Sequence, residues 1–166
     1  MKGQSLVDYL RGLVNRDPGA VASLGRSLAF EPGTYAPAFP ALERLVGALS
    51  EEERKRAYMV SGLWARYGKR EGGRPKALAT LMRQLAAGSD SVAARFTVLL
   101  DADIDELPHR LRQAVSLVHG AGLALDWGAL YDDLRWWGHP DKNVQQRWAR
   151  HFYAPSEFAD EVASAE

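Results

Sequence analysis

The sequence predicts an all-α protein, a helical bundle in two small lobes, and three observations support this prediction. Apolar residues recur at helical spacing along most of the chain, no run alternates with a period of two, and Gly, Pro and Ser clusters separate segments of helix length. With 166 residues, the chain can form one compact domain or two small lobes. We expect lobes over residues 1–88 and 89–153, divided near 86–90, and an acidic flexible tail over 154–166.

The first lobe is predicted to hold five short helices. Ser5 can cap the first, and Asp17 followed by Pro18 is an N-cap with proline at the first helical position. Residues 31–40 contain three prolines and predict an ordered loop. A third helix follows over residues 42–49, Ser50 with Glu53 fits a capping box for the fourth, and residues 78–85 carry the apolar face of the fifth.

The second lobe is organised around residues 125–153, which contain four of the five tryptophans. Before this stretch, a short helix from Ser91 and a longer one with Pro108 in its first turn are expected. Residues 125–153 themselves predict two helices joined by a turn at 138–140, with Asp126 and Asp141 as N-caps. We predict that Trp127 and Trp148 belong to the core, because buried aromatic side chains remove a large apolar area from water.

Composition excludes several classes of protein. There is no cysteine, which excludes disulfides and thiolate catalysis, and no apolar run is long enough to span a membrane. The first residues lack a signal-peptide pattern, so a cytoplasmic location is expected. The net charge is zero, but residues 54–83 carry nine basic residues and one acid, while residues 101–166 carry six basic and twelve acidic residues. Such a basic segment can attract a polyanion even on a neutral protein.

Short motifs give no convincing catalytic site. The tripeptide His139-Pro140-Asp141 resembles the turn of J-domain co-chaperones, but the segment before it is not basic, and a plain helical turn is the alternative. The four histidines lack close metal-ligand spacing, and no phosphate-binding loop is present. We therefore expect a protein that is not an enzyme and needs no cofactor or metal. Besides a non-enzymatic protein that binds nucleic acid through its basic residues, two other classes stay open: a helical adaptor that binds only protein, and a metal-dependent nuclease.

Several stretches in order resemble one family. Residues 91–100, SVAARFTVLL, are similar to the Ser-Val-x-x-Arg-Phe-x-x-Leu-Leu segment of the CasB family, the small subunit of the type I-E CRISPR surveillance complex Cascade. The arginine-bearing run 107–117, the triplet Leu125-Asp126-Trp127, the stretches 133–137 and 146–150, and, upstream, residues 26–29 and 37–39 also match. The resemblance covers about residues 20–153 and is strongest after residue 90.

The resemblance implies a non-catalytic Cascade subunit in antiviral defence. Such a subunit would contact the backbones of crRNA and target DNA without sequence preference, and would stabilise the R-loop with its displaced strand. Its partners would be the other Cascade subunits and a second copy of itself. The resemblance gives seven candidate nucleic-acid contacts, with an ordinary surface or helix-pairing role as the alternative for each, and one family position is matched by either Arg110 or Arg112. The candidates are Arg26, Arg54, Arg95, Arg110, Arg112, Lys142 and Arg147. The basic loop 68–76 is a candidate by charge alone.

Overall fold

The computed structural model describes residues 1–69 and 72–154, and within these ranges the protein is all-α, as predicted. Nine α-helices are found there: α1 Gly3–Arg16, α2 Pro18–Arg26, α3 Phe39–Val46, α4 Glu51–Leu63, α5 Leu78–Ala86, α6 Asp90–Asp101, α7 Leu107–Gly120, α8 Trp127–Leu134 and α9 Asn143–Tyr153. Short 3₁₀ turns occupy Ser27–Ala29 and Ala36–Ala38, and a π-helical turn, Trp64–Gly68, extends α4. Arg70, Glu71 and the tail predicted after Ala154 lie outside the described residues.

Three predicted N-caps are confirmed by hydrogen bonds from backbone amides. Asp17 Oδ1 accepts from the amide of Ala20, and Asp126 Oδ1 accepts from the amide of Ala129, both at 2.9 Å. Ser50 Oγ accepts from the amide of Glu53 at 3.3 Å. Each bond satisfies one of the donors that the first helical turn leaves unpaired. These caps therefore determine where α2, α4 and α8 begin.

Four predicted helix starts are wrong. Helix α3 begins at Phe39, inside the segment 31–40 that was predicted as a loop, and α6 begins at Asp90, one residue ahead of Ser91. Helix α1 begins at Gly3, ahead of Ser5, and α9 begins at Asn143, after Asp141. The residue before α9 is Lys142, whose backbone is left-handed with φ of 49°, so the turn from His139 continues one residue further than the Pro140-Asp141 pattern suggests. Helix α9 then packs on α5 and α6, and side-chain bonds from Asp133 link it to α8.

Helix α4 is the centre of the bundle. Residues 57–65 are all buried, so this helix has no solvent face in its second half. It packs against α1, α2, α3, α7 and α8. Gly62 permits the approach of α2, because a Cβ there would lie 2.9 Å from Leu28 Cδ2 and 3.1 Å from the carbonyl oxygen of Leu24. Part of the basic segment 54–83 therefore also forms the central helix of the core.

Helix packing connects the two predicted lobes. Helix α1 packs on α8, where the amide of Gly3 donates to Asp132 Oδ1 at 2.8 Å, and α5 packs on α9. An ion pair also joins Arg135, the residue after α8, to Glu53 of α4, at 2.7 Å. The buried apolar residues of 1–69 and 72–154 form one contiguous core. The division into two lobes over residues 1–88 and 89–153 stays a prediction.

The aromatic residues of α8 and α9 form the core of the C-terminal part, as predicted. Trp127 and Trp148 are 4% and 3% exposed. Trp148 packs edge-on against Trp137, with ring centroids 5.2 Å apart, and Trp137 Nε1 donates to the carbonyl of Ala102 at 3.0 Å. Trp136, in the turn after α8, and Tyr153, at the end of α9, are the exceptions, since their side chains are 58% and 57% exposed. This hairpin is therefore mainly a packing element.

Candidate nucleic-acid interface

A basic groove lies where the end of α2, the π-helical turn and the end of α7 meet. Its volume is about 570 Å³. Its floor is made by small residues, and a Cβ on Gly25 would lie 3.9 Å from Ala65 Cβ. The groove is lined by Val21, Ala22, Gly25, Arg26, Ala65, Arg66, Tyr67, Lys69 and His119. Because small side chains form the floor, the long basic side chains stand around it.

Among residues 1–69 and 72–154, three cations and no acid line the groove. Arg26, Arg66 and Lys69 are all exposed. Arg26 Nη2 donates to Ser23 Oγ at 3.1 Å, which orients the guanidinium while leaving its other donors available. Positive side chains around a concave, low-dielectric surface reinforce one another's potential. The groove is therefore suited to a phosphate-bearing chain.

The π-helical turn places two of these cations. A π turn adds a residue to each hydrogen-bonded loop, which rotates the following side chains relative to an α-helix. Here it leaves Trp64 buried and Arg66 exposed. Gly68 ends the turn in close contact with two indoles, since a Cβ there would lie 2.6 Å from Trp64 Cδ1 and 2.8 Å from Trp127 Nε1. Only glycine fits, and this close approach positions Lys69 at the rim.

Helix α7 closes the groove on its other side. The rings of Tyr67 and His119 are 5.3 Å apart and tilted by 55°. The Arg66 guanidinium carbon lies 5.9 Å from the centre of the Tyr67 ring, within the range of a cation–π contact. The exposed His119 thus lies beside the cations.

Arg112 extends the positive surface along α7. It is exposed, seven residues before His119 and so on the same helix face, and its Nη1 donates to the carbonyl of Leu28 at 3.4 Å. This contact ties α7 to the turn that follows α2, next to Arg26. We call the set of Arg26, Arg66, Lys69, Arg112 and His119 the basic surface. Two of the seven residues predicted from the sequence, Arg26 and Arg112, belong to it.

Three predicted residues lie elsewhere on the protein. Arg95 is exposed on α6, and Lys142 is exposed in the turn between α8 and α9. Arg110 is half-buried on α7 and lies 3.8 Å from Glu106, one helical turn earlier. None of the three lines the groove.

Arg54 is engaged inside the protein. It forms an ion pair with Glu43 and donates from Nη1 to the carbonyl of Gly33 at 3.2 Å, and its side chain is only 18% exposed. Its guanidinium also lies over the ring of Tyr58, 5.0 Å from the centroid. Hydrogen bonding from Arg54 holds the pKa of Glu43 below its ordinary value of 4.5. A phosphate would have to compete with this carboxylate for the guanidinium.

Arg147 also has an internal partner. It pairs with Asp133, whose other carboxylate oxygen accepts from Trp148 Nε1 at 2.6 Å. Asp133 therefore joins α8 to two consecutive residues of α9. Arg54 and Arg147 both have contacts that stabilise the fold, and a direct role of either in binding nucleic acid stays a prediction.

Two residues of the basic surface, Arg66 and His119, were not singled out from the sequence as nucleic-acid contacts, whereas Lys69 lies in the basic loop 68–76, which was a candidate by charge alone. Arg66 was counted in the basic segment 54–83, but no motif distinguishes it from Arg54 or Arg56. Arg56 shows why charge alone is insufficient, because it is 4% exposed and burial lowers its pKa. The close packing of Gly68 against Trp64 and Trp127 is visible only in the folded structure.

Other possible sites are weaker. Among residues 1–69 and 72–154, no group of three or more His, Asp and Glu side chains is placed to hold a metal ion. His139 and Asp141 are exposed and pair within their own turn, with the imidazole Nδ1 and a carboxylate oxygen 3.6 Å apart. No helix within the described ranges has the length and apolar character needed to cross a membrane.

The fold and the groove together define a small all-α protein with a cationic cleft, and comparison with known proteins gives its family. The profile of the CRISPR-associated Cse2 proteins matches residues 20–153. A curated Cse2 protein from Thermus thermophilus is 42% identical over 156 residues, which cover 91% of this chain and 89% of that protein. The chain therefore belongs to the Cse2 family of CRISPR-associated proteins, members of which are also called CasB, and the resemblance seen in the sequence is confirmed.

Solved structures agree with this membership. The crystal structure of a Cse2-family protein from T. thermophilus superposes with a TM-score of 0.84 at 38% identity, covering 93% of this chain and all of that one. CasB from M. ruber gives 0.79 at 32% identity, covering 100% of this chain and 99% of that one. A chain of a CRISPR RNA-guided surveillance complex has the same fold, with a TM-score of 0.74 at 21% identity and coverage of 99% and 97%.

Proposed function

We propose that this protein is a non-catalytic subunit of a type I-E CRISPR surveillance complex, Cascade, in the cytoplasm. In that complex it would contact the backbones of crRNA and target DNA and stabilise the R-loop with its displaced strand. The observation that carries the proposal is the groove lined by Arg26, Arg66 and Lys69, with no acid among the described residues that line it. Arg112 continues this surface along α7.

The chemistry of the basic surface suits binding that ignores sequence. Arginine presents planar, always charged donors that match phosphate oxygens, and lysine adds a mobile point charge. Contacts to phosphates position a nucleic acid without reading its bases. In a guide-programmed complex the RNA reads the target by base pairing, so the protein needs only to hold the backbone.

Family membership supports the assembly part of the proposal. A protein of the same fold occurs in a CRISPR RNA-guided surveillance complex, and the match spans nearly the whole of both chains. We infer that other Cascade subunits and a second copy of this chain are its partners. Weak binding by the isolated protein is expected, since neighbouring subunits in an assembly raise the effective concentration of the nucleic acid.

Salt-dependent binding tests the role of the basic surface. Arg26→Ala, Arg66→Ala and Arg112→Ala should each weaken binding similarly for unrelated DNA sequences, and should each reduce the slope of log K against log salt by about one. Arg54→Ala and Arg147→Ala, whose side chains have internal partners, serve as comparison variants of equal charge change. If these two reduce the salt slope while the first three do not, the assignment of the surface is wrong.

Reconstitution tests the function itself. Target-DNA binding and R-loop formation should be measured for Cascade assembled with the wild-type subunit, with the triple variant of Arg26, Arg66 and Arg112, and without the subunit. We expect the triple variant to assemble but to form less stable R-loops. R-loop formation unchanged by omission of the whole subunit would contradict the proposed function.

A further inference from the structure

Phe30 is an exposed aromatic side chain that the core does not use. Its side chain is 53% exposed, and among the described residues the other large apolar side chains with comparable exposure are Val98, Trp136 and Tyr153. Phe30 stacks nearly parallel on Tyr35, with ring centroids 4.6 Å apart and an angle of 18° between planes. Tyr35 covers one face of the Phe30 ring, and the rest of the ring is open to solvent.

The loop that carries this pair is held in place. The amide of Phe30 donates to the carbonyl of Ser27 at 3.0 Å, and the amide of Thr34 donates to the carbonyl of Glu31 at 3.1 Å. Gly33 has a left-handed backbone with φ of 80°, and its carbonyl accepts from Arg54 Nη1 at 3.2 Å. The two rings are therefore positioned by backbone hydrogen bonds and by Arg54, which lowers the entropic cost of using them for binding.

Phe30 lies at the edge of the basic surface. It follows Arg26 through one 3₁₀ turn, and Leu28, whose carbonyl accepts from Arg112, is two residues away. Two residues span at most about 7 Å. Glu31, the next residue, is an exposed acid, so the attraction of this edge for phosphate must come from Arg26 and Arg112. An exposed ring beside two arginines is the combination that binds unpaired nucleotides.

We propose that Phe30, supported by Tyr35, is a base-stacking platform that makes the basic surface bind single strands in preference to duplex. The inference rests on the proposed function and specifies its ligand. An unpaired base can place its π-face on the Phe30 ring while its phosphates contact Arg26 and Arg112. In a duplex the bases are already paired and stacked on one another, so no base is available to stack on the Phe30 ring.

The test compares three variants of the full-length protein. Phe30→Leu removes the ring but keeps an apolar side chain, and Phe30→Tyr keeps a ring. Trp136→Leu is the matched control, because Trp136 is similarly exposed, at 58%, in the turn after α8. Binding is measured with a single-stranded oligonucleotide containing 2-aminopurine, whose fluorescence is quenched by stacking, and with the same sequence as a duplex, each over a range of salt.

We expect Phe30→Leu to weaken single-strand binding about five-fold or more and to abolish the quenching that stacking on protein adds. Duplex affinity and the salt slope should stay at the wild-type values, because no phosphate contact is lost. Phe30→Tyr and Trp136→Leu should both retain single-strand binding. Circular dichroism of all variants checks that the helices are intact, which the exposure of Phe30 favours.

Two results would overturn the inference: wild-type single-strand binding by Phe30→Leu, and an equal loss of single-strand and duplex binding. If the first result came together with failure to assemble into Cascade, Phe30 would be a contact for a protein subunit. Failure of the wild-type protein to bind any nucleic acid, alone or within Cascade, would instead contradict the proposed function itself, so the two failures are distinguishable.

Discussion

Replacement of Trp148 by alanine is expected to be one of the most damaging single changes to the fold. Trp148 is 3% exposed, and its ring packs against Trp137 at 5.2 Å and against Phe96 at 6.4 Å. Its Nε1 also donates to Asp133 at 2.6 Å. The variant therefore loses the transfer energy of an indole, leaves a cavity between α6, α8 and α9, and removes one hydrogen bond from a carboxylate.

The expected size of this effect is about 3–5 kcal/mol in the free energy of unfolding. For a protein of this length that corresponds to a fall in Tm of about 6–20 °C. Urea unfolding followed by circular dichroism gives the free energy, and a thermal scan gives the Tm. Trp136→Ala is the control: its side chain is 58% exposed, so its effect should stay within about 0.5 kcal/mol.

One result would refute the reasoning. If Trp148→Ala melted like the wild type and lost only affinity for nucleic acid, Trp148 would be a stacking residue and not a core residue. Loss of stability without a change in the salt slope of binding would agree with the packing role.

The remaining predictions concern pH and two glycines. The pKa of Glu43 is lowered, mainly by hydrogen bonding from Arg54, so its contribution to stability is present above the ordinary value of 4.5 and is lost as the pH falls through the lower folded value. Urea unfolding of Glu43→Gln should therefore show a deficit relative to wild type at pH 7 that shrinks in acid, and a deficit independent of pH would contradict this account. A Cβ on Gly3 would overlap the carbonyl of Gly128, so Gly3→Ala should force α1 away from α8 and destabilise the protein by about 1–3 kcal/mol. Gly12→Ala, in the same helix but with its nearest neighbour atom 3.7 Å away, should be neutral or stabilise by up to about 1 kcal/mol; equal thermal shifts for the two variants would refute the packing argument.

Much of the local structure could be predicted from the sequence. The helices follow from the spacing of apolar residues, and the caps at Asp17, Ser50 and Asp126 follow from side chains that can accept a hydrogen bond from the first turn. Burial of Trp127 and Trp148 follows from their size. All these properties depend on residues within one or two helical turns, which a single sequence displays directly. Family membership, too, was visible as an ordered set of short motifs.

The tertiary structure alone decided which basic residues share a surface. Arg26, Arg66, Lys69 and His119 come from three segments far apart in the chain and meet at one groove. The π-helical turn that exposes Arg66 has no pattern in the sequence, and Gly68 at its end packs against Trp127, which is distant in the chain. Conversely, Arg54 finds Glu43 eleven residues away, and Arg147 finds Asp133 across a turn. A basic side chain can contribute to a binding surface only if the fold places no carboxylate against it. That depends on distances between residues far apart in the chain, which a local sequence pattern does not show.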